Sequence, residues 1–154
     1  MHVVASSAEG PGGRIAYLVW EEPGGDALLV DWDGPLPGLV EVVAREGLRP
    51  VWHARTQAQE PPAADAAALA ALYPGLRTAW YAGCGTLRAG RLRVDAVWTP
   101  RDGGAAGLSF VVGERAAFVG DLPGAAAAGD RRAARSLETV RELAPAAQLH
   151  PGAV

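Results

Sequence analysis

The sequence predicts an α/β protein in which two sheets pack face to face with helices on their outer sides, a four-layer αββα sandwich. Three observations carry this expectation. Strand-like and helix-like segments follow one another in the order hairpin, helix, strand, helix, several antiparallel strands, helix, strand, which suits layers better than a bundle or a barrel. From Arg91 to Trp98 the alternation is clean, with Leu92, Val94, Ala96 and Trp98 on one face and Arg91, Arg93 and Asp95 on the other, the pattern of a strand with one wet face. The 154 residues, 49% of them hydrophobic, are enough for one domain with a real core and too few for two, so residues 1–154 are read as a single domain.

The elements follow in order. Arg14 to Trp20 and Ala27 to Trp32 are apolar, β-branched or aromatic runs separated by Glu21-Glu22-Pro23-Gly24-Gly25-Asp26, a turn-forming cluster, and they predict a hairpin. Leu36, Leu39, Val40, Val43 and Ala44 recur at helical spacing after Pro35 and Pro37, and Gly47 stops that helix. Leu48 to His53 returns to an extended stretch. Ala63 to Tyr73, opened by Pro61-Pro62 and closed by Pro74-Gly75, predicts a second helix on alanine propensity more than on periodicity. Leu108 to Val112 and Ala116 to Val119 predict a second hairpin across Gly113-Glu114-Arg115. Asp130 then caps a helix whose buried stripe is Ala133, Ala134, Leu137, Val140 and Leu143, and Ala146 to Leu149 supplies a closing strand.

Composition excludes several function classes. A net charge of -3 gives no electrostatic reason for nucleic acid or an anionic membrane as a partner. All 14 basic residues are arginine and asparagine is absent, a bias that GC-rich coding explains without function. One cysteine, Cys84, rules out an internal disulfide and a cysteine-rich zinc site; it lies in Ala82-Gly83-Cys84-Gly85-Thr86, read as a turn with no histidine nearby in sequence to make it a nucleophile. No leader-like segment opens the chain and no apolar run approaches the length that spans a bilayer, so a cytoplasmic location is the expectation.

Four short segments carry the chemistry: Trp52-His53-Ala54-Arg55-Thr56-Gln57-Ala58, Thr99-Pro100-Arg101-Asp102, Phe118-Val119-Gly120-Asp121 and His150-Pro151-Gly152-Ala153. In this order, between elements of this type from about Ala16 to Ala153, they resemble the metallo-β-lactamase superfamily, with Asp31-Trp32-Asp33-Gly34 similar to the acidic, glycine-containing turn after that family's opening strands. The resemblance implies an αββα sandwich, here reduced in size. In the family a His-X-His-X-Asp-His loop, a Thr-Pro-Gly-His-Thr turn, a bridging aspartate and a Pro-Gly-His turn hold two metal ions. Here the resemblance retains His53 as a first ligand and Asp121 as the bridging aspartate, puts Asp102 at or near the turn histidine, and puts Ala153 where the last histidine stands, with His150 three residues early.

Too few donors remain for the chemistry that the resemblance would bring. A catalytic zinc takes three protein ligands and an open position, and a dinuclear site takes more. Arg55 carries a permanent positive charge where a second imidazole belongs, and Gln57 replaces a carboxylate with an amide that cannot act as a base. The expected pocket is therefore a relic lined by His53, Arg55, Gln57, Asp102 and Asp121, with no catalytic residue and no metal. Arg55 reads either as an ion-pair partner of Asp121 or Asp102 in a rebuilt pocket or as a surface charge of no measurable effect. His53, at a strand end after Trp52, reads as a hydrogen-bonded structural histidine ahead of a ligand, and Asp121 reads also as a cap on the turn from Gly120 to Gly124. The tryptophans read as core, although Trp52 and Trp98 precede the loops that frame the pocket.

Three functions remain in view. The first is a catalytically degenerate protein of this fold that acts as a binding, regulatory or structural module for an unknown small molecule or protein. The second is a divergent metal-dependent hydrolase of an ester, thioester or lactone, with zinc held by His53, Asp102, Asp121 and His150. The third is a self-associating protein, a homodimer that covers an apolar face left by a trimmed helical layer.

Overall fold

The computed structural model describes residues 1–7, 14–57, 63–79, 85–102 and 107–152. The first sheet runs in the order β1 (His2–Ser7), β2 (Ile15–Trp20), β3 (Asp26–Val30), β4 (Arg49–Ala54), β5 (Arg77–Ala79). β1, β2 and β3 pair antiparallel, whereas β3, β4 and β5 are parallel. The change of sense follows from the connections, because parallel neighbours need crossovers and α1 (Pro37–Arg45) and α2 (Ala63–Leu72) supply them. The second sheet runs β10 (Gln148–Pro151), β9 (Ala116–Gly120), β8 (Leu108–Val112), β7 (Leu92–Trp98), β6 (Gly85–Ala89). Its four central and lower strands are antiparallel, and β10 joins parallel to β9 after α3 (Leu122–Ala127) and α4 (Arg131–Leu143).

Three buried clusters fill the layers. Between the sheets lie Tyr17, Val19, Leu28 and Val30 against Val94, Phe110 and Phe118. Under α1 and α2 lie Leu18, Leu29, Trp32, Leu39, Val43 and Leu69. Under α3 and α4 lie Val111, Val119, Leu122, Leu137 and Val140. β2 and β3 are covered on both faces, which is why they read as unbroken apolar runs. β7 alternates because Arg93 and Asp95 face outward where no helix covers them.

The hairpin, both predicted crossover helices, the second hairpin and the capped last helix are present. Asp130 caps α4 by accepting the Ala133 N–H at 2.8 Å. Three side chains differ from expectation. Leu143 is 59% exposed rather than buried, because it stands at the last residue of α4, past the edge of the sheet it would cover. Ser136 takes a buried place on the stripe, its hydroxyl donating to the Pro100 carbonyl at 2.8 Å. Trp98 is 40% exposed, at the end of β7. β1, β5, β6 and α3 are elements that periodicity did not mark. The expected turns and ends at Pro61-Pro62, Trp80, Ala82 to Cys84 and Ala153 lie outside the described residues. No described helix is long and apolar enough to cross a membrane.

The two sheets are stitched together at one end. The Leu108 N–H donates to the Thr56 carbonyl at 3.0 Å and the Ile15 N–H to the Gly152 carbonyl at 2.8 Å, while the Gly152 N–H is held within the second sheet by the Gly120 carbonyl at 2.9 Å. Gly120 sits in the seam with φ of 56°, and a Cβ there would lie 2.5 Å from Thr56 Oγ1.

Candidate functional site

This stitched end gathers most of the buried charge. Leaving β3, the chain turns at Asp31 in the left-handed region, with φ of 53°. Its carboxylate accepts the Thr56 N–H and the Thr56 hydroxyl, each at 2.7 Å, and its own N–H donates to the Ala54 carbonyl at 2.9 Å. Two residues on, Asp33 accepts Arg55 at 2.7 Å and Arg14 at 2.8 Å. The Arg55 side chain is only 4% exposed, and its Nε finds no partner among the described residues. Burial pushes the Asp33 carboxyl up, but the bonds from Arg55 and Arg14 outweigh it and hold the group below the usual carboxylate range.

Across the seam, Gln57 Nε2 donates to Asp121 Oδ2 at 3.0 Å, and Arg101 Nη1 lies 3.5 Å from the same oxygen. Gln57 is tied to the second sheet through its bridge to Gly107. Asp121 opens α3 with its backbone carbonyl, which accepts the Ala125 N–H at 3.0 Å, but its side chain bonds no N–H of that helix; the carboxylate faces the seam instead, which corrects the reading of Asp121 as a side-chain turn cap. Three guanidinium groups, Arg14, Arg55 and Arg101, thus face three carboxylates, Asp31, Asp33 and Asp121. The two spaces beside Gln57 and Asp121 each leave ≈ 10 Å³, room for about one water and far below the roughly 300 Å³ of a small-molecule site.

Not every residue expected here arrives. Gln57, Arg55 and Asp121 line the same space. His53 does not, because strand alternation in β4 turns it to the other face of the sheet. His53 pairs in register with Leu29, so its ring points into the layer under α1 and α2 and is 2% exposed. Asp102 donates its N–H to Asp130 Oδ2 at 3.0 Å and does not touch Asp121. His150 is stacked on Phe118, centroids 4.9 Å apart, with its edge toward Tyr17, in the aromatic layer between the sheets. The ion pair expected of Arg55 with Asp121 or Asp102 is made with Asp33 instead, and the arginine that meets Asp121 is Arg101. Trp52 donates to the Arg88 carbonyl and carries the Arg77 guanidinium 4.1 Å over its ring, away from the seam.

Asp31, Asp33, Thr56 and Arg101 are the members that sequence reasoning did not single out. The acidic turn from Asp31 to Gly34 was the available signal for two of them. Arg101 is one residue from the expected Asp102, and the register of a turn decides which of the two faces inward.

Two buried groups titrate in opposite senses. Burial, then the Arg55 charge, lowers the His53 pKa to about 4, with Asp33 opposing. The folded state therefore binds this proton less well than the unfolded chain, so stability is lost as pH falls from 6.5 toward 4, by at most about 3 kcal/mol. Burial raises Asp31 to about 6 against the lowering bonds from Thr56; the residue keeps some accessible surface, but its carboxyl group is enclosed. An acid whose folded pKa is raised gains stability as pH falls through about 6 toward 3.8, again by at most about 3 kcal/mol. The two nearly cancel in this window. Calorimetric melting temperatures of His53→Gln should therefore rise on acidification from pH 7 relative to wild type, and those of Asp31→Asn should fall; parallel profiles for all three proteins would contradict this pairing.

The surroundings of Asp121 do not fit a divalent cation. Its nearest side chains are an amide N–H and a guanidinium, both hydrogen-bond donors. Among the described residues no group of three or more His, Cys, Asp or Glu side chains is placed to hold a metal ion.

The fold has known counterparts. A metallo-β-lactamase from Staphylococcus aureus subsp. aureus COL superposes with a TM-score of 0.70 at 16% identity, over 98% of this chain and 56% of that one, so the chain spans little more than half that protein's length. The BLEG-1 B3 metallo-β-lactamase gives 0.62 at 15% identity, over 79% of this chain and 72% of the other. TTHA1623 in a di-iron-bound form gives 0.59 at 21% identity, over 97% of this chain and 91% of that one. No family model and no curated protein sequence matches the chain. The architecture is the metallo-β-lactamase fold, with two mixed sheets and helices outside, in a chain shorter than these counterparts.

Proposed function

We propose that this chain is a catalytically degenerate protein of the metallo-β-lactamase fold that acts as a binding, regulatory or structural module. The observation that carries this reading is that the Asp121 carboxylate is already bonded by Gln57 and approached by Arg101. A guanidinium stays protonated and repels a cation, and a glutamine amide can neither deprotonate a water nor donate an electron pair through the nitrogen it presents here. The adjoining spaces each hold about one water, so they offer no enclosed pocket for an ester or lactone beside the carboxylate, whose side chain is 34% exposed.

A ligand that binds only the folded state must raise the melting temperature. Added zinc or manganese should therefore leave the melting temperature of the purified, untagged protein unchanged. A rise of several degrees that disappears in Asp121→Ala would overturn the proposal. It would favour the second reading, a metal-dependent hydrolase of an ester, thioester or lactone, for which the di-iron-bound form of TTHA1623 is the supporting comparison.

A further inference from the structure

We infer that the outer face of the second sheet, where β7 runs past the end of α4, is a surface on which two copies of this chain dimerise. α3 and α4 cover β8, β9 and β10, with Leu137 and Val140 packed on Val111 and Val119, but on β7 their cover reaches only Val97 and leaves Arg93 and Asp95 outside it. Along that boundary lies a groove of ≈ 480 Å³ walled by Val97, Val111 and Leu143, with Arg93, Asp95 and Glu114 at its rim. Leu143 is 59% exposed, more than any other large hydrophobic side chain among the described residues.

A knob and a hole therefore sit side by side in one patch. This is what a two-fold axis requires: each copy presents the same surface, and rotation sets each Leu143 into the other copy's groove against the half-buried Val97. A contact between two different patches would instead build a ring or an open chain.

Charge at the rim is self-complementary in the same way. The Arg93 side chain is 61% exposed, held only from one side by Asp95 at 3.0 Å through its Nε. Glu114 has no ion-pair partner among the described residues. The two-fold operation brings Glu114 of one copy toward Arg93 of the other. A nucleic acid or an anionic membrane would want one sign of charge here, and the patch carries both.

Sedimentation equilibrium of the full, untagged chain from micromolar to millimolar concentration tests this. A concentration-dependent monomer–dimer equilibrium is expected. Leu143→Glu should be monomeric throughout, with a circular-dichroism spectrum like wild type because the side chain is already exposed. Arg93→Glu and Glu114→Arg should each weaken the dimer by about tenfold, and combining them should restore it. A wild-type chain that stays monomeric at millimolar concentration would overturn the inference, as would a dimer indifferent to Leu143→Glu or a double variant no tighter than the single ones. These outcomes bear on this surface alone, not on the Asp121 site.

Discussion

Replacing Gly120 with alanine should lower unfolding stability by about 3 kcal/mol, the sum of a left-handed backbone cost and a steric one. The φ of 56° alone costs a residue with a Cβ roughly 1 to 2 kcal/mol. The added methyl would meet Thr56 Oγ1 at 2.5 Å and Thr56 Cβ at 2.9 Å. Thr56 cannot move aside cheaply, because its hydroxyl and its N–H are both bonded to Asp31. Gly113 supplies an internal control, since it has the same φ of 56° and nothing within 4 Å of a built Cβ. Gly113→Ala should therefore lose only the backbone share, and the gap between the two variants in urea melts isolates the contact across the seam. Equal losses would mean that the Thr56 contact relaxes without cost.

Asp33→Ala should also be severe, at about 3 kcal/mol, because it leaves the Arg55 charge buried without its carboxylate. The value belongs at the low end for broken buried pairs, since the Asp33 side chain is 31% exposed and water can reach the vacated position. Arg14→Ala removes the other partner of Asp33 from a side chain that is 45% exposed, and should cost less than about 1 kcal/mol. Combining Asp33→Ala with Arg55→Met should recover most of the loss, because an apolar side chain in that slot has no charge to solvate. Urea midpoints with unchanged slopes measure all three variants against wild type. A double variant as unstable as Asp33→Ala alone would mean that Asp33 matters for something other than Arg55.

How much of this was legible in the sequence depends on how each feature is encoded. The paired strands β2 and β3, the helix α1 and the last helix α4 were readable because burial writes itself as apolar runs or 3.6-residue stripes. β1 and β6 were not, since edge strands need only half a buried face, and neither HVVASS nor GTLRA shows a strict alternation. α3 was hidden because LPGAAA contains the proline and glycine of a turn, yet proline at the start of a helix is well tolerated.

At the site, the order of segments was legible and the facing of individual side chains was not. The alternation of β4 puts His53 on the same face as its partner Leu29, toward the outer layer, and one residue of register in the turn after β7 exchanges Asp102 for Arg101. Asp121 was legible from its Gly-Asp context after β9, but its amide and guanidinium partners depend on two loops meeting in space, for which a single sequence carries no local signal.

Zinc-soaked crystals, measured at the zinc absorption edge, test the central claim most directly, because anomalous density reports the metal and the electron density reports what occupies its place. Gln57 and Arg101 should be found in contact with the Asp121 carboxylate, with no anomalous peak beside it. A strong peak at roughly 2.0–2.2 Å from an Asp121 oxygen, with Arg101 turned away, would contradict that claim.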